Sequence, residues 1–236
     1  MRRSGPDGHS GTTPPVPGWP TFLLLPGLPA LLFALFTWQV VAHGPLARAD
    51  ERLSEHLVSP ARIYELLADL GGIAVAVPVL AVVLVYVALR GRRAGLDRWW
   101  LPSVAAAVLM AVVPALVVPV KELVARPGPP VMGPGTGFYP SGHTATAAVA
   151  YGAATLVLLP WLRTALARRA LVAGCLVLNL AVPFGLVRRG FHWPLDVVAS
   201  WCLCAVLLSA LWMLLGRTGS ADTGRPSSPA ADAQPK

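Results

Sequence analysis

Two histidines, a serine and a carboxylate stand in two short stretches, Tyr139-Pro140-Ser141-Gly142-His143 and Phe191-His192-Trp193-Pro194-Leu195-Asp196, of a chain that is otherwise strongly apolar. Pro140 keeps the residue before it out of helical geometry and Ser141 is a favoured N-cap, so a helix is predicted to begin at Ser141. The free N–H groups of its first turn, near Gly142 and His143, lie at the positive end of the helix dipole and suit a phosphate oxygen. Gly142 has no side chain to hold an anion away. In the second stretch Pro194 suits a first helical turn, and His192 and Asp196 are four residues apart. On a helical turn they share a face, so the carboxylate accepts from one ring nitrogen while the other meets a substrate, as a nucleophilic or basic histidine requires. Each residue also has a plainer reading: Ser141 as an N-cap, Asp196 as a helix-dipole residue, His192 as an interfacial histidine beside Trp193. The pair standing next to Arg188 and Arg189 favours an anion site.

Apolar elements must position these residues. Of 236 residues 55% are hydrophobic and 13% charged, with a mean hydropathy of +0.62, which is membrane-protein composition. The net charge of +8 is dispersed between apolar runs and not gathered on a polar domain, so a nucleic-acid partner is excluded. Cys175, Cys202 and Cys204 lie inside those runs without metal-ligand spacing and read as packing residues. Arg2, Arg3 and the sequence Ala47-Arg48-Ala49 raise a signal peptide, but the first run is too long for one and is read as an uncleaved span.

Six runs reach membrane-spanning length, at about 20–41, 71–89, 99–120, 141–161, 170–187 and 194–215. The fold class is therefore all-α, a polytopic six-helix membrane bundle. Residues 19–216 form that domain, and residues 1–18 and 217–236, rich in Gly, Pro, Ser, Thr and Ala, are expected to be disordered tails. Between the first two runs, Leu53, His56, Leu57, Ile63, Leu66 and Leu67 line one side of short amphipathic helices broken at Pro60. Residues 126–137 are too rich in Pro and Gly for a helix and read as a loop. Twelve Lys and Arg residues fall on the side of the tails and seven on the other, so both termini are expected to be cytoplasmic and the two histidine stretches extracytoplasmic. Lys121, Arg126, Arg188 and Arg189 stand on that disfavoured side beside the histidines, and a shared anion accounts for them. Interfacial snorkelling is the alternative.

Lys121, the Pro140-Ser141-Gly142-His143 tetrad and the pair His192 and Asp196, in that order on one side of a six-span chain, resemble the type 2 phosphatidic acid phosphatase superfamily, which is related to the vanadate haloperoxidases. The resemblance covers about residues 71–215. It implies a metal-independent phosphatase of the cell membrane, needing no cofactor, in which His192 attacks phosphorus, Asp196 orients it and His143 protonates the leaving oxygen. Lys121, Ser141 and Gly142 would hold phosphate oxygens, and a phosphohistidine would form and be hydrolysed. The substrate it implies is a lipid phosphate in the bilayer: phosphatidic acid, phosphatidylglycerol phosphate or a polyprenyl diphosphate. Two family arginines are missing, because their positions fall on Gly128 and Leu186. Arg126 is a substitute for the first if the helix carrying Lys121 unwinds before Pro127, since on an ideal helix it lies about 140° from Lys121. Arg188 or Arg189 is a substitute for the second. These displacements keep open an alternative, a catalytically weak or inactive relative that binds lipid phosphates or serves as a membrane partner protein. No pattern in the sequence sets an oligomeric state.

Overall fold

The apolar runs become helices long enough to cross a bilayer. The computed structural model describes residues 19–222, so the expected tail at 1–18, and the other beyond residue 222, lie outside the described residues. In chain order the helices are α1 (Trp19–Val41), α2 (Pro45–Leu57), α3 (Arg62–Asp69), α4 (Ile73–Arg93), α5 (Leu101–Val124), α6 (Gly142–Leu158), α7 (Ala165–Arg189) and α8 (Pro194–Asp222). Short 3-10 turns lie at Pro130–Met132 and Leu159–Trp161, and there is no strand among the described residues. Six helices, α1 and α4 to α8, are long and apolar enough to cross a membrane. α8 continues as helix to Asp222, past the end of the sixth apolar run.

Composition decides which helix is central. The first turns of α6 read Gly-His-Thr-Ala-Thr-Ala-Ala, and small side chains let neighbouring backbones come close in a membrane bundle. Accordingly α6 packs against α4, α5, α7 and α8, and 67% of its span is buried against at most 28% for any other. α1 lies outside, along α8. The other spans turn Leu, Val and Phe outwards, for example Leu31, Val82 and Leu176, as lipid-facing helices do.

The amphipathic pair α2 and α3 sits at the histidine end of the bundle, and its buried side is not the leucine side. α2 buries Ala47, Asp50 and Ser54, and α3 buries Ala68, while Leu53, Ile63 and Leu66 are exposed. Small residues allow these helices to lie close on the bundle. One close approach is at Gly185 of α7, where a Cβ would stand 2.5 Å from the Tyr64 carbonyl oxygen and 2.8 Å from the Ala68 nitrogen. No side chain fits there.

Candidate active site

Backbone hydrogen bonds join the two motif stretches. The Ser141 N–H donates to the Asp196 carbonyl at 3.1 Å, and Ser200 Oγ bridges the carbonyls of Ser141 (2.9 Å) and Asp196 (2.8 Å). The start of α6 is thus tied to the first turns of α8. Ser141 is the N-cap, its Oγ accepting from Thr144 N (3.3 Å) and Thr144 Oγ1 (3.0 Å). Fully buried, it serves as cap and anchor in this state.

Asp196 occupies the third position of α8, and its Oδ2 accepts from the Trp193 N–H (3.1 Å), closing the helix start as a capping-box acid does. The same oxygen meets His192 Nδ1 at 3.2 Å. An ionised carboxylate only accepts, so Nδ1 carries the hydrogen and Nε2 presents its lone pair. Among the described residues Nε2 has no hydrogen-bond partner. The Phe138 ring meets the imidazole edge-on, with centroids 5.9 Å apart, so the ring is held by packing as well as by the carboxylate.

His143 lies in the first turn of α6, within electrostatic reach of His192, Lys121 and Asp69. Its Nε2 is 3.9 Å from where a Cβ of Gly72 would be, so the turn between α3 and α4 walls that side. Lys121, in the last turn of α5, donates from Nζ to the Gly137 carbonyl at 2.7 Å, and its Cε lies 3.9 Å from where a Cβ of Gly142 would be. The Lys121 cation therefore stands over the open start of α6. His143, His192, Lys121, Gly142 and Ser141 are brought together.

The three arginines are placed differently. α5 does unwind before Pro127: Ala125 adopts the left-handed conformation with φ 47°, and the chain turns sharply. Arg126 is carried inwards, only 4% exposed, where Nη1 donates to Asp196 Oδ1 (2.6 Å) and Nη2 to Asp50 Oδ2 (2.9 Å). Its guanidinium also lies over the Trp193 ring, 5.3 Å from the centroid. Arg188 and Arg189 turn to α3. Arg188 donates to Tyr64 Oη (3.3 Å), and Arg189 to Glu65 Oε2 (3.3 Å) and the Pro60 carbonyl (3.3 Å).

The two positions that lack arginine are both occupied by packing. A Cβ on Gly128 would fall 2.6 Å from the Phe138 ring, the ring that meets His192. Leu186 is buried in the main apolar core with Ala68, Ala76 and Val182. Sequence reasoning did not single out Asp50. Its Oδ1 accepts from the free Leu195 N–H of α8 at 2.8 Å, in addition to its bond from Arg126. Burial pushes the Asp50 carboxyl up to about 6, while the Arg126 guanidinium and the Leu195 N–H pull it down. Arg126 is in turn held charged by two carboxylates against the cost of its burial. The sequence signal for Asp50 is its place between Ala47 and Ser54, at three and four residues, on the small-residue face of an otherwise charged helix.

Residues 100–219, just over half of the chain, match the model of the PAP2 superfamily. The chain belongs to the PAP2 superfamily. Its fold is similar to that of a transmembrane PAP2 type phosphatidylglycerolphosphate phosphatase from Bacillus subtilis, known from a crystal structure. The TM-score is 0.67 at 19% identity, over 87% of this chain and 100% of that one. Among curated proteins none matches the chain in sequence. The protein is a multi-pass membrane member of the PAP2 superfamily, with six candidate spans.

Proposed function

We propose that this PAP2 protein is a lipid phosphatase that works through a phosphohistidine. One observation carries the reading: His192, its Nδ1 held by Asp196, shares one end of the bundle with the open start of α6, His143 and Lys121. His192 Nε2 attacks phosphorus, the bond from phosphorus to the leaving oxygen breaks, and His143 supplies the proton that oxygen needs. Lys121 and the first N–H groups of α6, at Gly142 and His143, hold the non-bridging oxygens, where charge is spread in the transition state. Ser141 keeps one hydroxyl hydrogen to offer beyond its capping role. Water, deprotonated by His143, then attacks the phosphohistidine, releasing phosphate and restoring His192. Asp196 orients the ring and stabilises its cationic phosphorylated form.

A lipid substrate is supported by a groove among α2, α3, α7 and α8. It has a volume of about 520 Å³, and its walls, among them Leu53, Leu57, Val187, Val197 and Trp201, are apolar and suit an acyl or prenyl chain. The charge asymmetry between the two ends supports an extracytoplasmic site with cytoplasmic termini. Phosphatidylglycerol phosphate, phosphatidic acid and polyprenyl diphosphate are the head groups to compare. The test is phosphate release by purified protein in mixed micelles, with acid-quench trapping of labelled phosphohistidine. Wild type should turn over at least one of the three, with His192→Ala and His143→Ala slower by a hundredfold or more. Equal release by His192→Ala would refute the reading.

A second reading, a lipid-phosphate binder of low turnover, is favoured by the arginines: Arg126, Arg188 and Arg189 all donate to protein groups. It predicts saturable binding of a lipid phosphate with no phosphate release dependent on His192.

A further inference from the structure

Arg126 stands between two buried carboxylates that come from opposite ends of the sequence. Asp196 belongs to a motif stretch, while Asp50 comes from α2, outside every span and outside the residues matched by the family. Distances trace one continuous path. Asp50 Oδ2 accepts from Arg126 Nη2 (2.9 Å), Arg126 Nη1 donates to Asp196 Oδ1 (2.6 Å), and Asp196 Oδ2 accepts from His192 Nδ1 (3.2 Å). A second path runs through the backbone, because Asp50 Oδ1 takes the Leu195 N–H, adjacent to Asp196 in the first turn of α8. Further contacts brace the clamp. The guanidinium rests on the Trp193 ring, and Trp193 Nε1 in turn donates to the carbonyl of Pro127 at 2.9 Å.

The charges give this geometry a chemical consequence. A cation bonded only to Asp196 would neutralise the carboxylate that must stabilise a cationic phosphohistidine. Shared with Asp50, and with Glu51 at 3.7 Å, the guanidinium locks Asp196 in place while the cluster stays net negative. We propose that Asp50 is a positioning residue for phosphoryl transfer, acting through Arg126 and the first turn of α8 to fix the place and the charge of Asp196 and so to aim His192. This rests on the phosphatase reading. It gives the displaced arginine a role one step back from the phosphate, and it makes α2 part of the site.

The test uses the full-length chain purified in detergent. Asp50→Asn keeps the volume and an oxygen for Leu195 N–H but removes the charge and sets an NH₂ against Arg126. Its kcat should fall tenfold or more while KM changes by less than about twofold, because Asp50 does not touch substrate. A second readout needs no turnover: in protein labelled with 15N-histidine, assigned with His192→Ala, the His192 ring nitrogens should shift in Asp50→Asn. If Asp50→Asn does not elute as a folded protein, Asp50→Ser carries the same expectations, keeping a small polar residue on the face that already buries Ser54. A folded variant with kcat within twofold of wild type and unmoved His192 nitrogens overturns the proposal. So does the collapse of both variants, which would make Asp50 a structural residue only. Should wild type release no phosphate from any lipid, the phosphatase reading fails, and the nitrogen shifts still decide whether Asp50 acts on His192.

Discussion

Replacing Arg126 by Met would remove one cation and leave two buried carboxylates facing each other. Asp196 is fully buried and Asp50 nearly so, and each would lose its hydrogen-bonded counter-charge. Breaking a buried pair from one side costs about 3–5 kcal/mol, chiefly because the orphaned charge remains desolvated. In a chain of this length each kcal/mol moves Tm by about 2–4 °C, so Arg126→Met should unfold on the order of 10 °C below wild type. The Arg189 to Glu65 pair is the internal control. Its Glu side chain is 46% exposed, so Glu65→Gln should shift Tm by no more than about 2 °C. Adding Asp50→Asn to Arg126→Met removes one of the two orphaned charges and should recover part of the loss, so the two changes would combine non-additively. Thermal unfolding of the purified variants at one fixed scan rate in one detergent measures all of this. An Arg126→Met Tm within about 2 °C of wild type would refute the claim that this cluster holds α2, the 126–137 loop and α8 together.

Three further outcomes follow from particular contacts. Folded Asp50 keeps its proton up to about 6, whereas the unfolded carboxyl releases it near 3.8, so the folded state binds the extra proton in between. The stability from this proton is full below about 3.8 and lost as pH rises through about 6. Wild type should thus lose up to about 3 kcal/mol relative to Asp50→Asn between pH 4 and pH 7, read from paired unfolding curves. Gly185→Ala puts a Cβ against α3 backbone on two sides, so α3 must lift. A cost of about 1–3 kcal/mol and faster trypsin cleavage at Arg62 are expected. Ala125→Gly relieves a left-handed residue and should raise stability by up to about 1 kcal/mol, whereas Ala125→Val should lower it.

The bundle was readable because hydropathy over twenty residues is a local property, and six such runs gave six spans. The histidine stretches were readable for a similar reason: a Pro-Ser start and a four-residue separation each concern a single turn of helix. Arg126 shows where this stops. Its sequence position predicted unwinding of α5, which occurs, but the side chain then runs to Asp50 and Asp196, seventy-six and seventy residues away. Arg188 and Arg189 were read against His192, their neighbour in sequence, yet α3 is their neighbour in space. α2 inverted the usual expectation, since the face that packs is the one with small and acidic residues, and no hydrophobic periodicity marks an acid that a guanidinium will meet. Gly128 and Leu186 looked like losses from a motif. In three dimensions each is a packing requirement, one under Phe138 and one inside the core.

The burial of α6 sets how the protein meets membranes of different thickness. A bundle in a bilayer that is too thin or too thick adjusts by tilting the helices that touch lipid. Here those are the outer helices, and α6 has little lipid-facing surface through which mismatch could act on it. Its first turn, bonded to α8 through Ser141 and Ser200, is therefore a datum fixed to the protein interior while the rim adapts. A head group drawn into the site would be measured against that datum, and not against the local depth of the lipid.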